Sequence, residues 1–433
     1  MALEITVGPP LLTINQGRTV LASEPDGQIY PDTDKGLYFF DTRIISTYRI
    51  FANGHSFDLL NAGAVFYFAS RSFLICPTFE TEGGMIAARS LGLTLSRVIG
   101  DGLHEDFELT NYGPKPVRFN FEILIRCDFA DLFDVKANHL VRRGRIVNSW
   151  DADGMTFTSA YTNADFRRAL RIHICNSDSP GHVTNGRLTF EVVIEPGQTW
   201  HTCLCHDLID GDRVYEAPPE CFAHAPPARL ASPVEEWRKT VLKLETGNEE
   251  FYRLFRQSVE DMAALRLPME GTDHLRFVAA GGVPWFVTLF GRDSLIAALQ
   301  TVFVYPDFAR GALEVLGELQ ATEVDDYRDA QPGRILHELR HGELASLHKV
   351  PHTPYYGTAD ATPLYIITLN VAWRCTGDRT LLEQHLGTAE RCLDWIDDCG
   401  DRDGDGFQEY ATRSPVGIEN QGWKDSGDSV MRA

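Results

Sequence analysis

The chain has 433 residues and a formal net charge of −21. This excess of acidic groups argues against a nucleic-acid backbone or an anionic membrane as the main partner. With 43% hydrophobic residues, the chain has enough apolar material for about two or three folded domains. No stretch approaches ~18 consecutive apolar residues, and the N-terminus lacks a signal-peptide pattern, so we expect neither a membrane span nor export.

Nine cysteines are scattered along the chain, mostly within apolar segments. This distribution is typical of reduced, buried thiols in a cytoplasmic protein. Cys203 and Cys205 can share one face of a strand, with His206 beside them, so the alternatives are two core thiols and a metal site. The core-thiol interpretation is favoured. The sequence therefore predicts a cytoplasmic protein with no cofactor and no bound metal.

The first half of the chain has the pattern of β-structure. A hairpin is predicted over residues 47–60, around the two-residue turn Asn53-Gly54. Further alternating runs, separated by turn residues, cover residues 93–99, 103–110, 117–127 and 188–194. Several short strands of this kind favour an antiparallel β-sandwich over residues 1–225. A Pro/Ala-rich passage then predicts a linker over residues 226–247.

Residues 248–433 have helical periodicity instead. Helices are predicted over 251–265, 293–304, 307–322, 361–376 and 380–399, and a sixth begins near Asp428. The second and third helices, and likewise the fourth and fifth, are joined by short links that make antiparallel neighbours. The other connections take roughly 25–40 residues, far above the usual loop length. In an up-down array these long loops emerge at the same end, which is the predicted active face.

The first two long loops carry candidate binding residues. In the first, Arg292 and Asp293 can bind vicinal hydroxyls, with Trp285 as an apolar floor for a sugar ring. The alternative is that Asp293 or Ser294 caps the next helix and Arg292 is solvated. In the second, Tyr356 belongs to an aromatic pair that can line a pocket, and Asp360 can bind a hydroxyl, cap a helix, or do both. These residue types favour a carbohydrate site.

The second loop also contains His337-Glu-Leu-Arg-His341, which fits the H-E-x-x-H zinc motif. A zinc peptidase needs this string in one continuous amphipathic helix, and the glycines at positions 333 and 342 argue against such a helix. Arg340 also places a charge in the spacer. We therefore interpret Glu338, and with it His337, as candidates for sugar hydroxyls.

The third loop offers an acid and a calcium-like pattern. Asp425 stands two residues after Trp423, and an indole neighbour can raise a carboxyl pKa enough for general-acid work. Residues 401–406 match the first half of an EF-hand loop, but Thr412 stands where the bidentate glutamate belongs. A tight Asp/Gly turn is the favoured interpretation, and calcium at Asp401–Asp405 remains the alternative.

Together these segments resemble the bacterial glycogen-debranching (amylo-α-1,6-glucosidase) family, in the group with its own N-terminal β-domain. The matching segments span nearly the whole chain in order: residues 36–46, 128–135, 283–294, 333–340, 355–363 and 420–425. The resemblance implies a β-sandwich followed by an (α/α)6 toroid, of which residues 248–433 would be the first half.

The resemblance also implies residue roles. Related toroidal glucosidases carry an Arg-Asp pair, at the equivalent of Arg292 and Asp293, that binds the terminal glucose. Debranching enzymes have a Trp-x-Asp whose aspartate is the general acid, which maps to Asp425. Glucoamylase-like relatives place that acid directly after the tryptophan, where this chain has Lys424. Trp423 and Lys424 are accordingly included among the predicted substrate-binding residues.

The predicted function is therefore an α-1,6-glucosidase acting on α-glucan or an oligosaccharide by an inverting, two-carboxylate mechanism. The family's catalytic base lies in later helices, and nothing in this chain matches it. We expect the chain to be inactive alone, as a fragment or a truncated product. The alternatives are another toroidal glycosidase, trehalase-like or α-glucosidase-like, and a non-catalytic glucan-binding protein.

Overall fold

A computed structural model describes residues 11–221, 227–269 and 276–424, with the backbone alone for residues 227–231. The chain divides into two units, Met1–Ser232 and Pro233–Ala433. The first is made of β-strands and the second is mainly helical, as the sequence predicts. No helix among the described residues is long and apolar enough to cross a membrane.

Residues 11–221 of the first unit contain strands β1 to β19 and one short helix, α1. The bounds are β1 Leu12–Gln16, β2 Thr19–Ser23, β3 Gly36–Phe39, β4 Thr42–Ala52, β5 His55–Ser56, β6 Asp58–Phe66, β7 Ala69–Ile75, β8 Phe79–Thr81, β9 Gly84–Ile86, β10 Leu91–Ile99, β11 Leu103–Asn111, β12 Val117–Asp131, α1 Leu132–Lys136, β13 Arg145–Asp151, β14 Thr156–Asn163, β15 Phe166–Ser177, β16 Gly181–Thr184, β17 Arg187–Ile194, β18 Thr199–Asp210 and β19 Arg213–Tyr215.

Most of these strands form two large antiparallel sheets, and β8 pairs with β9 in a separate hairpin. The order in the first sheet is β1-β2-β3-β4-β12-β17-β16, with β5 beside β4. In the second sheet it is β13-β14-β15-β18-β11-β10-β7-β6, with β19 beside β18. The predicted hairpin at Asn53-Gly54 is β4 and β5. Both turn residues have positive φ, 45° and 78°, as a type I′ turn requires.

The two sheets pack face to face through alternating inward residues. Phe107 of β11 lies 5.5 Å from Phe121 of β12, ring centroid to centroid, and Trp200 of β18 lies 5.7 Å from the same Phe121. Aromatic edge contacts of this kind add to the burial of apolar area. The N-terminal β-sandwich expected from the sequence is thus present.

One expectation about the cysteines is wrong. Cys175 of β15 and Cys205 of β18 form a disulfide, so the nine cysteines are not all free thiols. The cause is the pairing of two strands whose cysteines lie 30 positions apart, because antiparallel register sets His173 opposite Cys205 and brings Cys175 beside it. The spacing of the cysteines along the chain does not predict that Cys175 and Cys205 are neighbours in the fold.

From residue 227 onward, the described residues form helices α2 to α8 and four short strands. The helices are α2 Pro227–Thr240, α3 Glu249–Ala264, α4 Gly291–Thr301, α5 Asp307–Glu318, α6 Glu343–Ser346, α7 Ala361–Thr376 and α8 Arg379–Trp395, and the strands are β20 Arg266–Met269, β21 Arg276–Ala279, β22 Leu289–Phe290 and β23 Glu338–Leu339. A 3-10 turn covers Asp326–Arg328 and a π turn covers Ile396–Gly400. The five predicted helices correspond to α3, α4, α5, α7 and α8, whereas the sixth lies outside the described residues.

Local signals explain where these helices begin and end. Asn248 and Asp378 cap α3 and α8 by accepting hydrogen bonds from the backbone N–H groups of Phe251 and Leu381. α7 ends at Gly377, whose φ of 70° suits glycine. The link to α8 is therefore short, and the two helices pack together. Buried apolar residues of α4, α5, α7 and α8 contribute to one hydrophobic core.

The segment 226–247, predicted as a linker, contains helix α2. Val234 and Trp237 are buried in the second unit, and Trp237 Nε1 donates a hydrogen bond to the Val259 carbonyl at 2.8 Å. The proline content is misleading here, because a proline is readily accommodated at the first helical position, which Pro227 occupies. Spacing of apolar residues predicts local structure better than composition in this segment.

Candidate functional site

The first two long loops of the helical unit are joined by backbone pairing. β22 pairs with β23, and the Gly291 N–H donates to the His337 carbonyl at 2.8 Å. Tyr355 adds a further bridge, with its N–H donating to the Glu338 carbonyl at 3.0 Å. The H-E-x-x-H string is thus extended rather than helical. It does not place two imidazoles on one helix face, which agrees with the rejection of a zinc peptidase.

Glu338 lies below the surface with two basic partners. Its Oε1 is 2.7 Å from His352 Nε2, and its Oε2 accepts a hydrogen bond from Arg340 Nε at 3.2 Å. Burial alone would raise the pKa of Glu338, but the hydrogen bond from His352 and the charge of Arg340 outweigh it and hold the pKa well below its usual range. His337, also buried, makes edge contacts with Phe290 and Tyr355.

A second buried carboxylate, Asp329, holds the second and third loops together. Its Oδ1 accepts from the backbone N–H groups of Arg413 and Ser414 at 2.6 and 3.0 Å. Its Oδ2 accepts from Tyr355 Oη at 2.8 Å and from Gln421 Nε2 at 3.1 Å. Asp329 is 1% exposed, so this one side chain satisfies four donors from which water is excluded.

Arg334 is a further buried side chain that links the second and third loops. Its guanidinium donates to Gln421 Oε1 at 2.7 Å and to the carbonyls of Thr358 and Asp329. It also lies over the Trp395 ring, 5.1 Å from the centroid. Burial lowers the pKa of Arg334 to about 10, so the group remains a cation at neutral pH. We call Asp329, Arg334, Glu338, Tyr355 and Gln421 the buried layer.

A partly exposed cluster lies where all three loops meet. Arg292 Nη1 donates to Asp360 Oδ2 at 3.2 Å and to the Gly422 carbonyl at 3.3 Å. Its guanidinium carbon lies 5.8 Å from the centroid of the Trp423 ring, and its Nε is 4.0 Å from Asp293 Oδ2. We call Arg292, Asp293, Asp360 and Trp423 the rim cluster. Trp423 is 65% exposed, which leaves its indole face open to a ligand.

The structure decides between capping and other roles for some of these residues. The N-cap of α4 is Phe290, so Asp293 lies within the first turn, and Ser294 Oγ donates to the Ala279 carbonyl instead. The capping alternative for Asp293 and Ser294 is therefore wrong. Asp360 occupies the N-cap position of α7, but its carboxylate accepts from Thr358 Oγ1 and from Arg292 rather than from the helix backbone.

The remaining predicted residues occupy different environments. Trp285 is partly buried, and its carbonyl accepts from Arg340 Nη1 at 3.1 Å. Tyr356 is buried with its hydroxyl donating to the Leu319 carbonyl. Lys424 is exposed, and its carbonyl accepts from Asn420 Nδ2. Asp425, the predicted general acid, lies outside the described residues.

The Asp/Gly segment of the third loop is a tight turn. Asp401 Oδ1 accepts from the backbone N–H groups of Gly404 and Asp405, and Oδ2 accepts from that of Gly406. These bonds agree with the favoured turn interpretation. Carboxylate oxygens of Asp401, Asp403 and Glu409 also lie within 4.8 Å of one another, a grouping that is common at acidic surfaces without an ion.

Sequence reasoning missed the members of the buried layer other than Glu338. Arg334, Tyr355 and Gln421 lie inside segments that resemble the debranching family, but the resemblance assigned them no structural role. Asp329 and His352 had no signal, because a lone Asp or His in a loop is ordinarily exposed. Only the tertiary fold shows that these two groups are buried with partners.

Comparisons with known proteins bear on the β-unit most directly. Residues 14–205 match the family model described as the N-terminal domain of (some) glycogen debranching enzymes. A comparison with curated proteins found no match.

Among solved structures, a putative kojibiose phosphorylase from the human microbiome has a similar fold, with a TM-score of 0.55 at 9% identity. The match covers 88% of this chain and 56% of that one, so the chain spans little more than half of the phosphorylase. A galactose mutarotase-like protein from Lactobacillus casei is matched over 46% of this chain and 100% of its own length, at 10% identity. Its TM-score of 0.25 is too low to indicate a shared fold. Residues 14–205 are thus similar to the N-terminal domains of glycogen debranching enzymes, in agreement with the resemblance predicted from the sequence.

Proposed function

We propose that this chain is part of a glycoside hydrolase acting on α-glucan, similar to the α-1,6-glucosidases of glycogen debranching. The observation that carries the proposal is the rim cluster, in which Arg292 contacts both Asp360 and Trp423, so that side chains from three loops meet. An arginine and carboxylates present paired donors and acceptors to vicinal hydroxyls, and an exposed indole supplies a face for a sugar ring. The family match over residues 14–205 supports the same substrate class.

In this proposal the sequence-predicted residues divide into two groups. Trp285, Arg292, Asp293, Asp360, Trp423 and Lys424 contact the sugar. His337, Glu338 and Tyr356 support the loops from below, because their polar groups or rings contact the protein. The helical unit is proposed to be the first half of an (α/α)6 toroid, with the loops at its active end.

The proposed chemistry needs two carboxyl groups. Asp425, two residues beyond Trp423, donates its proton to the glycosidic oxygen as the bond to the anomeric carbon breaks. In an inverting mechanism, a second carboxylate removes a proton from the water that attacks the opposite face of the sugar. The resemblance assigns that base to none of residues 1–433, and we therefore propose that these residues bind glucan without turning it over.

A direct test combines binding and turnover on purified residues 1–433. Titration with a branched dextrin should show saturable binding, with no release of glucose above a protein-free control. Absence of binding would overturn the proposed site, whereas measurable glucose release would overturn the claim that the chain is inactive. Parallel reactions with orthophosphate distinguish hydrolysis from phosphorolysis, because only the latter yields a glucose phosphate.

A further inference from the structure

A second group of functional side chains lies in the β-unit, remote in sequence from the long loops. His104 and Asp106 alternate with Glu105 on β11, so they share the face of the second sheet that points away from the first. Cys203 of β18 pairs directly with Asp106 in the antiparallel register. Cys221, which follows β19 along the chain, completes the group.

The four side chains are close enough to share one ion. One ligand atom from each lies within 4.8 Å of those of the others. Cys203 Sγ is 3.2 Å from Cys221 Sγ, and His104 Nε2 is 3.6 Å from Asp106 Oδ1. In a tetrahedral site with zinc–sulfur bonds of about 2.3 Å, two sulfurs lie about 3.8 Å apart. The thiols therefore need to separate by only about half an ångström.

The surrounding hydrogen bonds orient these groups as metal ligands are usually oriented. His104 Nδ1 lies 2.7 Å from the Pro218 carbonyl, and a carbonyl only accepts, so Nδ1 carries the proton. Nε2 is then the ring nitrogen left to bind an ion, and it faces Asp106. His201 Nε2, 3.1 Å from Asp106 Oδ1, holds the carboxylate. Histidine ligands commonly donate their second ring N–H to a carbonyl in this way.

We propose that His104, Asp106, Cys203 and Cys221 form a binding site for one zinc ion or a similar borderline-soft divalent cation. Two thiolates and an imidazole favour zinc over magnesium or calcium, which prefer oxygen ligands. His104, Asp106 and Cys203 are buried and Cys221 is half-buried, and four protein ligands fill a tetrahedral site. The ion is therefore structural: it ties the segment containing Cys221 to β11 and β18.

The test uses the purified chain, kept reduced, loaded with zinc and then dialysed against metal-free buffer. We expect about one zinc per chain. Replacement by cobalt should give the near-ultraviolet absorption of a thiolate–cobalt bond and the strong visible bands of a tetrahedral site. The half-buried ligand is the informative position, so Cys221→Ser should lose the retained zinc and reduce the thiolate–cobalt band.

Two cysteine variants serve as matched controls. Cys76→Ser changes a buried thiol elsewhere in the same unit, and Cys175→Ser removes the disulfide to Cys205. Both should retain zinc and the cobalt spectrum. The proposal is overturned if wild-type protein retains no zinc or if Cys221→Ser retains it. A Cys203–Cys221 disulfide found in metal-free, wild-type protein that takes up no zinc after reduction would also overturn it.

Discussion

The buried layer and the rim cluster of the helical unit use the same residue types in opposite ways. Glu338 of the buried layer is 5% exposed, and its carboxylate oxygens are taken by His352 and Arg340. In the rim cluster, the side chain of Asp360 is 21% exposed and that of Asp293 is 39% exposed, and the Trp423 indole is open. A buried carboxylate whose oxygens interact with protein groups stabilises the fold, whereas a partly exposed carboxylate in the rim cluster can also bind a ligand.

This difference explains why motif matching alone was misleading. The H-E-x-x-H string draws attention to His337 and Glu338, which lie on the buried side. Arg292 and Trp423 belong to no such motif, but they lie in the rim cluster, where a sugar can reach them. The following predictions separate the two groups, because changes in the buried layer should reduce stability and changes in the rim cluster should reduce binding.

The largest effect is expected for Glu338→Gln. The substitution leaves Arg340 and His352 around a neutral amide in a buried site, and breaking a buried ion pair costs about 3–5 kcal/mol. Urea unfolding followed by fluorescence should show a correspondingly lower midpoint for the helical unit. Glu419→Gln, an exposed glutamate on the third loop, is the control and should unfold like wild type. Equal midpoints for Glu338→Gln and wild type would contradict the role given to this side chain.

Asp329→Asn is expected to destabilise by about 2–3 kcal/mol. The amide replaces one acceptor oxygen with a donor that faces backbone N–H groups or the Tyr355 hydroxyl. Hydrogen exchange should become faster in the third loop, whose residues Arg413 and Ser414 donate to this carboxylate. Unchanged exchange there would show that the third loop is held by other contacts.

Acid should weaken both units through their buried glutamates. Glu105, fully buried in the sandwich, would have its pKa raised by burial, but Arg97 and His206 lower it from 4.5 to about 2. A carboxyl with a lower pKa in the folded chain binds its proton less tightly there than in the unfolded chain. Its contribution, about 3 kcal/mol, is therefore complete above pH 4.5 and is lost as the pH falls toward 2. Denaturant midpoints measured from pH 6 to pH 3 should fall in wild type and fall less steeply in Glu105→Gln.

The smallest effect is expected for Trp423→Ala. Loss of one exposed aromatic face should weaken dextrin binding by about 1 kcal/mol, or roughly fivefold, with no change in the unfolding midpoint. Isothermal titration with a branched dextrin measures this directly. Trp395→Phe is not a suitable control, because Trp395 is buried against Arg334. Phe407→Ala, an exposed aromatic in the same loop, should bind as wild type does.

Much of the fold was predictable because its signals are local. Alternation and turn residues predicted the β-unit, and helical periodicity predicted α3, α4, α5, α7 and α8 to within a few residues. The disulfide and the buried layer were not predictable, because they depend on contacts between residues distant in sequence, such as Asp329 with Tyr355 and Gln421, 26 and 92 positions away. Of the predicted sugar-binding residues, some lie in the rim cluster, whereas His337, Glu338 and Tyr356 are buried. Burial depends on tertiary contacts, which the spacing of residues along the chain does not reveal.

The measurement that tests the central claim most directly is dextrin binding by Arg292→Ala beside wild type. Arg292 joins the three loops at the rim cluster through Asp360 and Gly422, and its guanidinium is the proposed contact to sugar hydroxyls. Loss of a charged hydrogen-bonding group should weaken binding by about 2 kcal/mol, or roughly thirtyfold, while the chain stays folded. Unchanged affinity in a folded Arg292→Ala protein would contradict the assignment of the rim cluster as the glucan site.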